Sequence, residues 1–209
     1  MGKPEVVSAR EWQRARDELL VAEKEVTRAQ DAVAALRRRL PMVEFDAGYE
    51  FDAPGGRKTL LDLFEGRDQL VVYQFMDIGP DDFCGGCTWL TDSVPVTGLP
   101  ALADLGVTWV TVSNMPPAQI EAYKERKGWT LPFVSSRGSS FADDCGAGGG
   151  FMLSVFLRDG DRVHRTYNTT QRGVDRLVFV NSVLDLTPFG RQQDWEDSPP
   201  GWPQHPTYG

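Results

Sequence analysis

The feature that most constrains the fold is an apolar run that leads into a pair of cysteines. Residues Leu70–Met76 read Leu-Val-Val-Tyr-Gln-Phe-Met, and Cys84-Gly85-Gly86-Cys87 follows after a short polar stretch. A short, nearly continuous apolar run predicts a strand that is buried on both faces of a sheet. Residues three apart lie about one turn apart on a helix, so the pair predicts two thiols at a helix N-terminus. We expect Asp68–Met76 to be the central strand.

The segments around this strand alternate between helical and extended patterns. Residues 42–58 are predicted as a connecting stretch with turns, and a helical region over Thr88–Leu105 is interrupted by prolines. The other predicted helices are Thr59–Phe64, Pro117–Lys127 and Val174–Leu186; the other strands are Val107–Ser113, Phe133–Ser135, Phe151–Arg158 and Arg162–Tyr167. The order β-α-β-α-β-β-α is the α/β arrangement of a thioredoxin-like core.

A long helix is predicted in front of this core. Ser8 and Glu11 have the spacing of a capping box, and Pro41 ends the helical pattern. A heptad seam runs along it: Trp12, Leu19, Val26, Val33 and Leu40 in one position, and Ala15, Ala22, Ala29 and Leu36 in the other. Such a seam permits close approach of a second helix. We expect residues 1–41 to form a homodimer contact; the alternative is that the seam packs on its own domain.

The C-terminal stretch differs in composition from the rest. Residues 187–209 hold five of the 14 prolines, together with Phe189, Trp195, Trp202 and Tyr208. So many prolines predict an irregular segment, and the aromatic residues predict that it lies folded on the surface. The chain is thus expected to comprise a helix over 1–41, a thioredoxin-like domain over 42–186 and a tail over 187–209.

The cysteine pair is the candidate catalytic site. A thiol at a helix N-terminus meets free amide hydrogens and the positive end of the helix dipole, which stabilise its thiolate. Cys84 is expected to attack a substrate disulfide, and Cys87 to resolve the mixed disulfide. Three aspartates precede the pair, at Asp77, Asp81 and Asp82, and negative charge raises a thiol pKa. We therefore expect a moderately activated, reducing thiol.

Two other interpretations of the pair are open. The cysteines could be buried and inert, or they could form half of a zinc or iron–sulfur site. A metal site is disfavoured because the chain has no second pair and its histidines are only His164 and His205. We expect neither a metal nor a cofactor.

The residues around the pair carry a family resemblance. The chain resembles thioredoxins at Phe83-Cys84-Gly85-Gly86-Cys87, and more closely a bacterial thioredoxin-like family of unknown function, of the type described as predicted dithiol–disulfide isomerases. The similar segments are Val72–Met76 with Gly79-Pro80, the cysteine pair, Gly128–Pro132, Phe156–Gly160, Arg165–Tyr167, Asp185–Arg191 and Trp195–Asp197. The resemblance spans nearly the whole chain and implies a thioredoxin-like fold with a redox role on a protein or small-molecule disulfide.

One departure from active thioredoxins concerns the segment that faces the site. Thioredoxins carry a cis-proline just before the strand there, whereas this chain reads Gly148-Gly149-Gly150-Phe151-Met152. Two alternatives to a disulfide oxidoreductase therefore stay open. One is a peroxiredoxin-like peroxide reductase, in which Cys87 attacks peroxide beside Arg137 or Arg158. It is suggested by Pro80-x-x-x-Cys84-x-x-Cys87, which resembles the peroxiredoxin pattern except at Cys84. The other is a non-catalytic thioredoxin-fold interaction module.

The third cysteine, Cys145, lies just before the glycine run. A lone cysteine is most often a small buried residue. Because the glycine run is expected to face the active site and to be mobile, Cys145 is a candidate third thiol that forms a disulfide with Cys84 or Cys87.

Composition excludes several classes of function. The net charge is −8, with 22 lysines and arginines against 30 acidic residues, so a basic footprint for nucleic acid is absent. No run of about 18 apolar residues predicts a membrane span. The first sixteen residues are polar and charged, unlike a secretory signal, and we expect a cytoplasmic protein.

Overall fold

The computed structural model describes residues 2–206. The tail aromatic Tyr208 lies outside the described residues. The helices are α1 (Ala9–Arg37), α2 (Gly85–Ser93), α3 (Leu99–Asp104), α4 (Pro117–Lys127), α5 (Phe141–Asp144) and α6 (Phe179–Leu184). The strands are β1 (Val43–Phe45), β2 (Glu50–Ala53), β3 (Gly56–Thr59), β4 (Gln69–Phe75), β5 (Val107–Ser113), β6 (Phe133–Ser135), β7 (Met152–Asp159) and β8 (Arg162–Thr169).

The strands form one sheet in the order β1-β8-β7-β4-β5-β6-β2-β3. β4 pairs in parallel with β5 and antiparallel with β7, and β8 returns antiparallel beside β7. A parallel pair joined through helices, followed by an antiparallel hairpin and a helix, is the thioredoxin-like core. The expected α/β thioredoxin-like fold is confirmed, with β4 at its centre.

Strand alternation divides the core into two clusters. Successive residues of a strand point to opposite faces of the sheet. Leu70 and Val72 of β4 belong to one buried cluster, whereas Tyr73 and Phe75 belong to the other. We call the face that carries Tyr73 and Phe75 the site face, because Cys87 packs there, and the face that carries Leu70 and Val72 the far face.

The stretch before the core is more regular than the sequence predicts. Residues 42–58 contain β1, β2 and most of β3 instead of turns alone, and the predicted helix Thr59–Phe64 is a single 3₁₀ turn over Asp62–Phe64. β1 pairs with β8 at one edge and β2 pairs with β6 near the other. β1 gains its regularity from long-range pairing with β8, whereas β2 pairs along its whole length with β3 in a local hairpin and at one position with β6. All three strands are three or four residues long, which is too short for an alternating pattern to stand out in the sequence.

The helix that follows β8 is also interrupted. The predicted helix Val174–Leu186 is a 3₁₀ helix over Gln171–Leu177 followed by α6. Val178 breaks the helix with an extended backbone (φ −90°, ψ 104°) while its side chain is buried. Packing of Val174 and Val178 on the site face therefore overrides the local helical pattern.

The long helix has the predicted start. The Ser8 side chain accepts a hydrogen bond from the Glu11 amide, and the Glu11 carboxylate accepts one from the Ser8 amide, which completes the capping box. The helix ends at Arg37, before the predicted end. None of its described residues is buried. No helix of residues 2–206 combines the length and apolar character needed to cross a membrane.

The chain divides into two compact units. The larger unit is Met42–Val183 and holds the whole sheet. The residues before and after it form the smaller unit, so α1 and the tail belong together. Within the tail, the Arg191 guanidinium donates two hydrogen bonds to the Asp185 carboxylate, and the Phe189 and Trp202 rings meet edge to face. The aromatic tail is therefore folded on itself.

Candidate active site

The cysteine pair stands at the N-terminus of α2, where the sequence predicts it. The loop 76–83 connects β4 to α2, and Cys84 is the N-cap residue of α2. Its Sγ accepts a hydrogen bond from the Cys87 amide at 3.3 Å, and its carbonyl accepts one from the Thr88 amide at 2.9 Å. The thiol thus occupies the position at which a helix N-terminus offers its free amides.

Cys84 is the activated thiol of the pair. Its pKa is lowered to about 6, chiefly because the Cys87 thiol donates a hydrogen bond to it, and further because the amides of Cys87 and Gly86 do so. Partial burial opposes this shift but is outweighed. A thiol with this pKa is mostly thiolate at pH 7, and thiolates are the attacking species in disulfide exchange.

Cys87 is the protonated partner. Only 1% of its surface is exposed. Its pKa is raised, first by the hydrogen bond that its thiol gives to Cys84 and then by burial. Two donors act in the opposite direction: the Met76 amide, 3.5 Å from Sγ, and the Tyr73 hydroxyl. The pair therefore consists of a half-buried thiolate in front and a buried thiol behind it.

Aromatic side chains support the residue before the thiolate, and sequence reasoning missed them. The Phe83 ring stacks on Tyr123 of α4, with ring centroids 3.5 Å apart. The Arg126 guanidinium lies 4.7 Å from the centroids of both rings. The Tyr123 hydroxyl is 2.6 Å from Oγ1 of Thr88, one residue beyond Cys87. An aromatic and a basic residue three apart on a helix, as Tyr123 and Arg126 are on α4, are too common a pattern to single these residues out.

Two of the three aspartates that precede the pair bond to their own loop. The Asp77 carboxylate accepts a hydrogen bond from the Gly79 amide, and the Asp82 carboxylate accepts one from the Phe83 amide. No aspartate is among the causes that shift the pKa of Cys84, which is set by the Cys87 thiol, by burial and by the amides of Cys87 and Gly86. A moderately activated, reducing thiol stays a prediction.

The glycine run before β7 leads into the site-face cluster without a cis-proline. Every peptide bond within residues 2–206 is trans. Gly148 and Gly149 have φ of 53° and 79°, which side-chain-bearing residues rarely adopt, so this turn depends on glycine. Phe151 then packs on the site face, 6.3 Å from the Tyr73 ring, and its carbonyl accepts a hydrogen bond from Thr170. The glycine run thus leads into an aromatic side chain that packs against the site-face cluster.

Cys145 is on the other side of the sheet. It is 1% exposed and packs in the far-face cluster with Phe141 and Phe156, whereas Cys87 packs in the site-face cluster. Burial raises the pKa of Cys145 to about 11. The structure brings Cys84 and Cys87 together and leaves Cys145 apart from them. A third-thiol role stays a prediction, and it would require the intervening chain to open.

Of the two arginines proposed for peroxide chemistry, Arg158 lies at the far end of β4 from the cysteine pair. Arg158 lies near the start of β4, where its amide bonds to Asp68, whereas Cys84 follows the other end of that strand. Arg137 is exposed and follows β6, two strands away from β4. The guanidinium that the structure places beside Phe83 is Arg126. Among the described residues, no group of three His, Cys, Asp or Glu side chains is arranged to hold a metal ion.

Comparison with known proteins gives a family and distant resemblances in shape. A family model described as bacterial protein of unknown function (DUF899) matches residues 1–208. Among solved structures, peroxiredoxin Q from Xanthomonas campestris is 18% identical, with 69% of this chain and 98% of that chain covered and a TM-score of 0.47. Peroxidoxin BcpB from Mycobacterium tuberculosis is 15% identical, with 66% and 95% covered and a TM-score of 0.45.

A hypothetical protein from Sinorhizobium meliloti is 16% identical to this chain, with 63% of this chain and 74% of that chain covered and a TM-score of 0.40. No curated protein matches the chain significantly. These likenesses are too distant to carry an argument about activity. The chemistry has to be inferred from the site itself.

Proposed function

The chain belongs to the DUF899 family of bacterial proteins of unknown function, and we propose that it is a thiol–disulfide oxidoreductase that works through Cys84 and Cys87. One observation carries the proposal: a thiolate with a pKa of about 6 caps a helix, and a buried thiol donates a hydrogen bond to it. The finer description as a dithiol–disulfide isomerase is a variant of the same proposal.

The reaction proceeds in two exchanges. The Cys84 thiolate attacks one sulfur of the substrate disulfide, forms a mixed disulfide and releases the other sulfur as a thiolate. Cys87 then loses its proton to solvent and attacks Sγ of Cys84. This step forms the Cys84–Cys87 disulfide and releases the second substrate thiolate. Two electrons pass to the substrate, and an external dithiol must reduce the protein for a further turnover. The predicted cytoplasmic address suits a reduced pair.

The peroxide-reductase alternative meets an obstacle in the site. In that alternative Cys87 attacks peroxide, but Cys87 is 1% exposed and its pKa is raised. A buried thiol that holds its proton is a poor nucleophile. Peroxide reduction would have to begin at Cys84, which gives the two activities different dependence on each cysteine.

A single-turnover experiment separates the alternatives. Reduced protein is mixed with a protein disulfide or with hydrogen peroxide, and loss of free thiol is followed in wild type, Cys84→Ser, Cys87→Ser and the control Cys145→Ser. We expect disulfide reduction in wild type and Cys145→Ser, none in Cys84→Ser, and a trapped mixed disulfide in Cys87→Ser. Faster reaction with peroxide would favour the peroxide reductase. Failure with both substrates would leave the interaction module.

We also propose that two copies of the chain associate through α1. The five seam residues Trp12, Leu19, Val26, Val33 and Leu40 are each at least 43% exposed. An exposed apolar stripe of this length is a typical association surface, and the heptad spacing specifies another helix as its occupant. A second copy presents an identical seam, and the alanines of the other heptad position permit close packing of the two helices.

Charge substitutions in the seam test the association. Leu19→Glu with Val26→Glu should convert a dimer into a monomer, as measured by light scattering. Gln13→Glu with Thr27→Glu adds the same charge to the same helix away from the seam and should leave the dimer intact. A wild-type monomer at high micromolar concentration would contradict the proposal.

A further inference from the structure

The second exchange poses a problem of proton transfer that the cysteine pair alone does not solve. Cys87 must become a thiolate to attack the mixed disulfide, yet it is buried. In the resting pair its proton is shared with the Cys84 thiolate. Once Cys84 is bonded to a substrate sulfur, that thiolate no longer exists. Some other group must then favour the ionised form of Cys87.

The surroundings of Cys87 offer two hydrogen-bond donors for this purpose. One is the Met76 amide at 3.5 Å, and the other is the hydroxyl of Tyr73. Among the described residues that affect Cys87, the one charged group is Cys84; no carboxylate, imidazole or ammonium takes part. Tyr73 and Cys87 are packed in the same site-face cluster, each 1% exposed, and the buried Tyr73 hydroxyl is not left without a partner. Among the described residues, Tyr73 is thus the one ionisable side chain other than Cys84 that acts on Cys87.

The fold holds Tyr73 in this position rigidly. Tyr73 is central in β4, paired with Thr111 of β5 and with Leu153 of β7, and it is 1% exposed. Its ring packs beside Phe151, at the end of the glycine run. A buried tyrosine on a central strand loses little freedom when its hydroxyl bonds to a sulfur, so this contact is preorganised.

We propose that Tyr73 is a positioning residue for the resolving step, whose hydroxyl stabilises the Cys87 thiolate after Cys84 has entered the mixed disulfide. This inference rests on the proposed oxidoreductase function. It assigns to Tyr73 a role in the second exchange, in which Cys87 attacks the mixed disulfide. The direction of the interaction agrees with it, because the Tyr73 hydroxyl lowers the pKa of Cys87 while the bond to Cys84 and burial raise it. When the mixed disulfide forms, the hydrogen bond from Cys87 to the Cys84 thiolate is lost, whereas the hydrogen bonds from Tyr73 and the Met76 amide stay in place.

The expected effect on rate is moderate and can be estimated. Loss of one hydrogen bond to a charged group lowers the thiolate population by about ten- to a hundredfold at a pH below the thiol pKa. A more basic thiolate is more nucleophilic, which recovers about three- to tenfold. Tyr73→Phe should therefore slow the resolving step by about three- to tenfold.

An aromatic disulfide with a coloured leaving thiolate, dithiobis(nitrobenzoate), resolves the two steps. The Cys84 thiolate releases one coloured thiolate as it forms the mixed disulfide. Cys87 releases the second as it closes the Cys84–Cys87 disulfide. In stopped flow, we expect Tyr73→Phe to leave the first phase unchanged, to slow the second, and to move the pH midpoint of the second phase upward. A residue with a merely structural role would not shift that midpoint.

Tyr49→Phe is the matched control. It also removes one tyrosine hydroxyl, which bonds to the Asp144 carboxylate and lies with the far-face cluster. Both phases should stay at their wild-type rates in this variant. Circular dichroism and thermal unfolding of both variants check that the ring substitutions leave the fold intact.

The outcomes distinguish this inference from the proposed function. Unchanged second-phase kinetics in folded Tyr73→Phe would overturn the role of Tyr73 while the two-step reaction stands. No first phase in wild type would instead overturn the proposed function. If Tyr73→Phe does not fold, 3-fluorotyrosine at position 73 keeps the ring and strengthens the donor. It should lower the pH midpoint of the second phase, and an unchanged midpoint would equally overturn the inference.

Discussion

The two faces of the sheet treat the same chemical group in opposite ways. On the site face, Cys84 lies at a helix N-terminus and its pKa falls to about 6. On the far face, Cys145 lies in an apolar cluster and its pKa rises to about 11. Neither residue type nor sequence distance explains this difference. Hydrogen-bond donors are available at the one position, whereas desolvation dominates at the other.

The faces also differ in what their aromatic residues do. On the far face, Phe141 is fully buried and its ring contacts those of Phe45, Tyr49, Phe51 and Phe156. On the site face, Phe83 precedes Cys84 in the chain, is partly exposed and stacks on the ring of Tyr123. We infer that the far face mainly supplies stability and that the site face combines packing with chemistry. Four predictions test this comparison.

The largest expected effect is on stability. Phe141→Ala should lower the free energy of unfolding by about 3–5 kcal/mol, since it removes a fully buried ring. Phe83→Ala should cost less than Phe141→Ala because the Phe83 ring is only partly buried; the stacking itself contributes about 0.5–1.5 kcal/mol, in addition to the lost burial. Urea unfolding of the reduced proteins measures both values. Equal losses in the two variants would remove the distinction between the faces.

The next effect is the difference in thiol reactivity. At pH 7 Cys145 has about ten-thousandfold less thiolate than Cys84, and its greater intrinsic nucleophilicity recovers about a hundredfold. Iodoacetamide should therefore modify Cys84 about a hundredfold faster, and burial of Cys145 widens the gap. Peptide mapping by mass gives the ratio. The same mapping after mild oxidation should find a Cys84–Cys87 link alone, whereas a link to Cys145 would support the three-thiol prediction.

A smaller effect is the contribution of Cys87 to the lowered pKa of Cys84. Because the Cys87 thiol is the largest cause of the lowered Cys84 pKa, Cys87→Ala should raise that pKa towards its ordinary value. Even a rise of one pH unit would reduce the thiolate at pH 6 about fivefold. Ultraviolet absorbance of the thiolate during a pH titration measures the shift, and Cys145→Ala serves as the control. An unchanged midpoint in Cys87→Ala would show that the helix N-terminus suffices.

The last effect is the pH dependence of stability. Cys84 has a lower pKa in the folded than in the unfolded chain, so its thiolate stabilises the reduced protein fully above about pH 9. This contribution is lost as the pH falls through about 6. Above pH 9 the raised pKa of Cys87 acts in the opposite direction. Between pH 6 and 9, the melting temperature of wild type should rise relative to that of Cys84→Ser. A constant difference would contradict the sign.

The reduction potential places the pair among known dithiols. Since the Cys84 pKa of about 6 lies nearer that of thioredoxin than that of the strongest oxidants, the potential should lie nearer about −270 mV than about −120 mV. Equilibration with a glutathione buffer measures it. A value near the oxidising end would require a different direction of electron flow.

The sequence by itself determined the order of the core elements and the position of the cysteine pair. Apolar runs predict the strands β4 and β5. A proline at the helix start predicts α4, and the capping box predicts the start of α1. These are local signals, which neighbouring residues in the chain suffice to encode. The Cys-Gly-Gly-Cys spacing after a buried strand likewise needs no tertiary information.

Tertiary structure alone decided the rest. β1 is regular because β8, distant in sequence, pairs with it, and the packing of Val178 breaks the last helix. Three features of the site depend on residues that are distant in sequence. They are the hydrogen bonds donated to Cys87, the position of Cys145 on the far face and the contact of Arg126 with Phe83. A pKa depends on burial and on donors a few ångströms away, and only the folded chain brings these together.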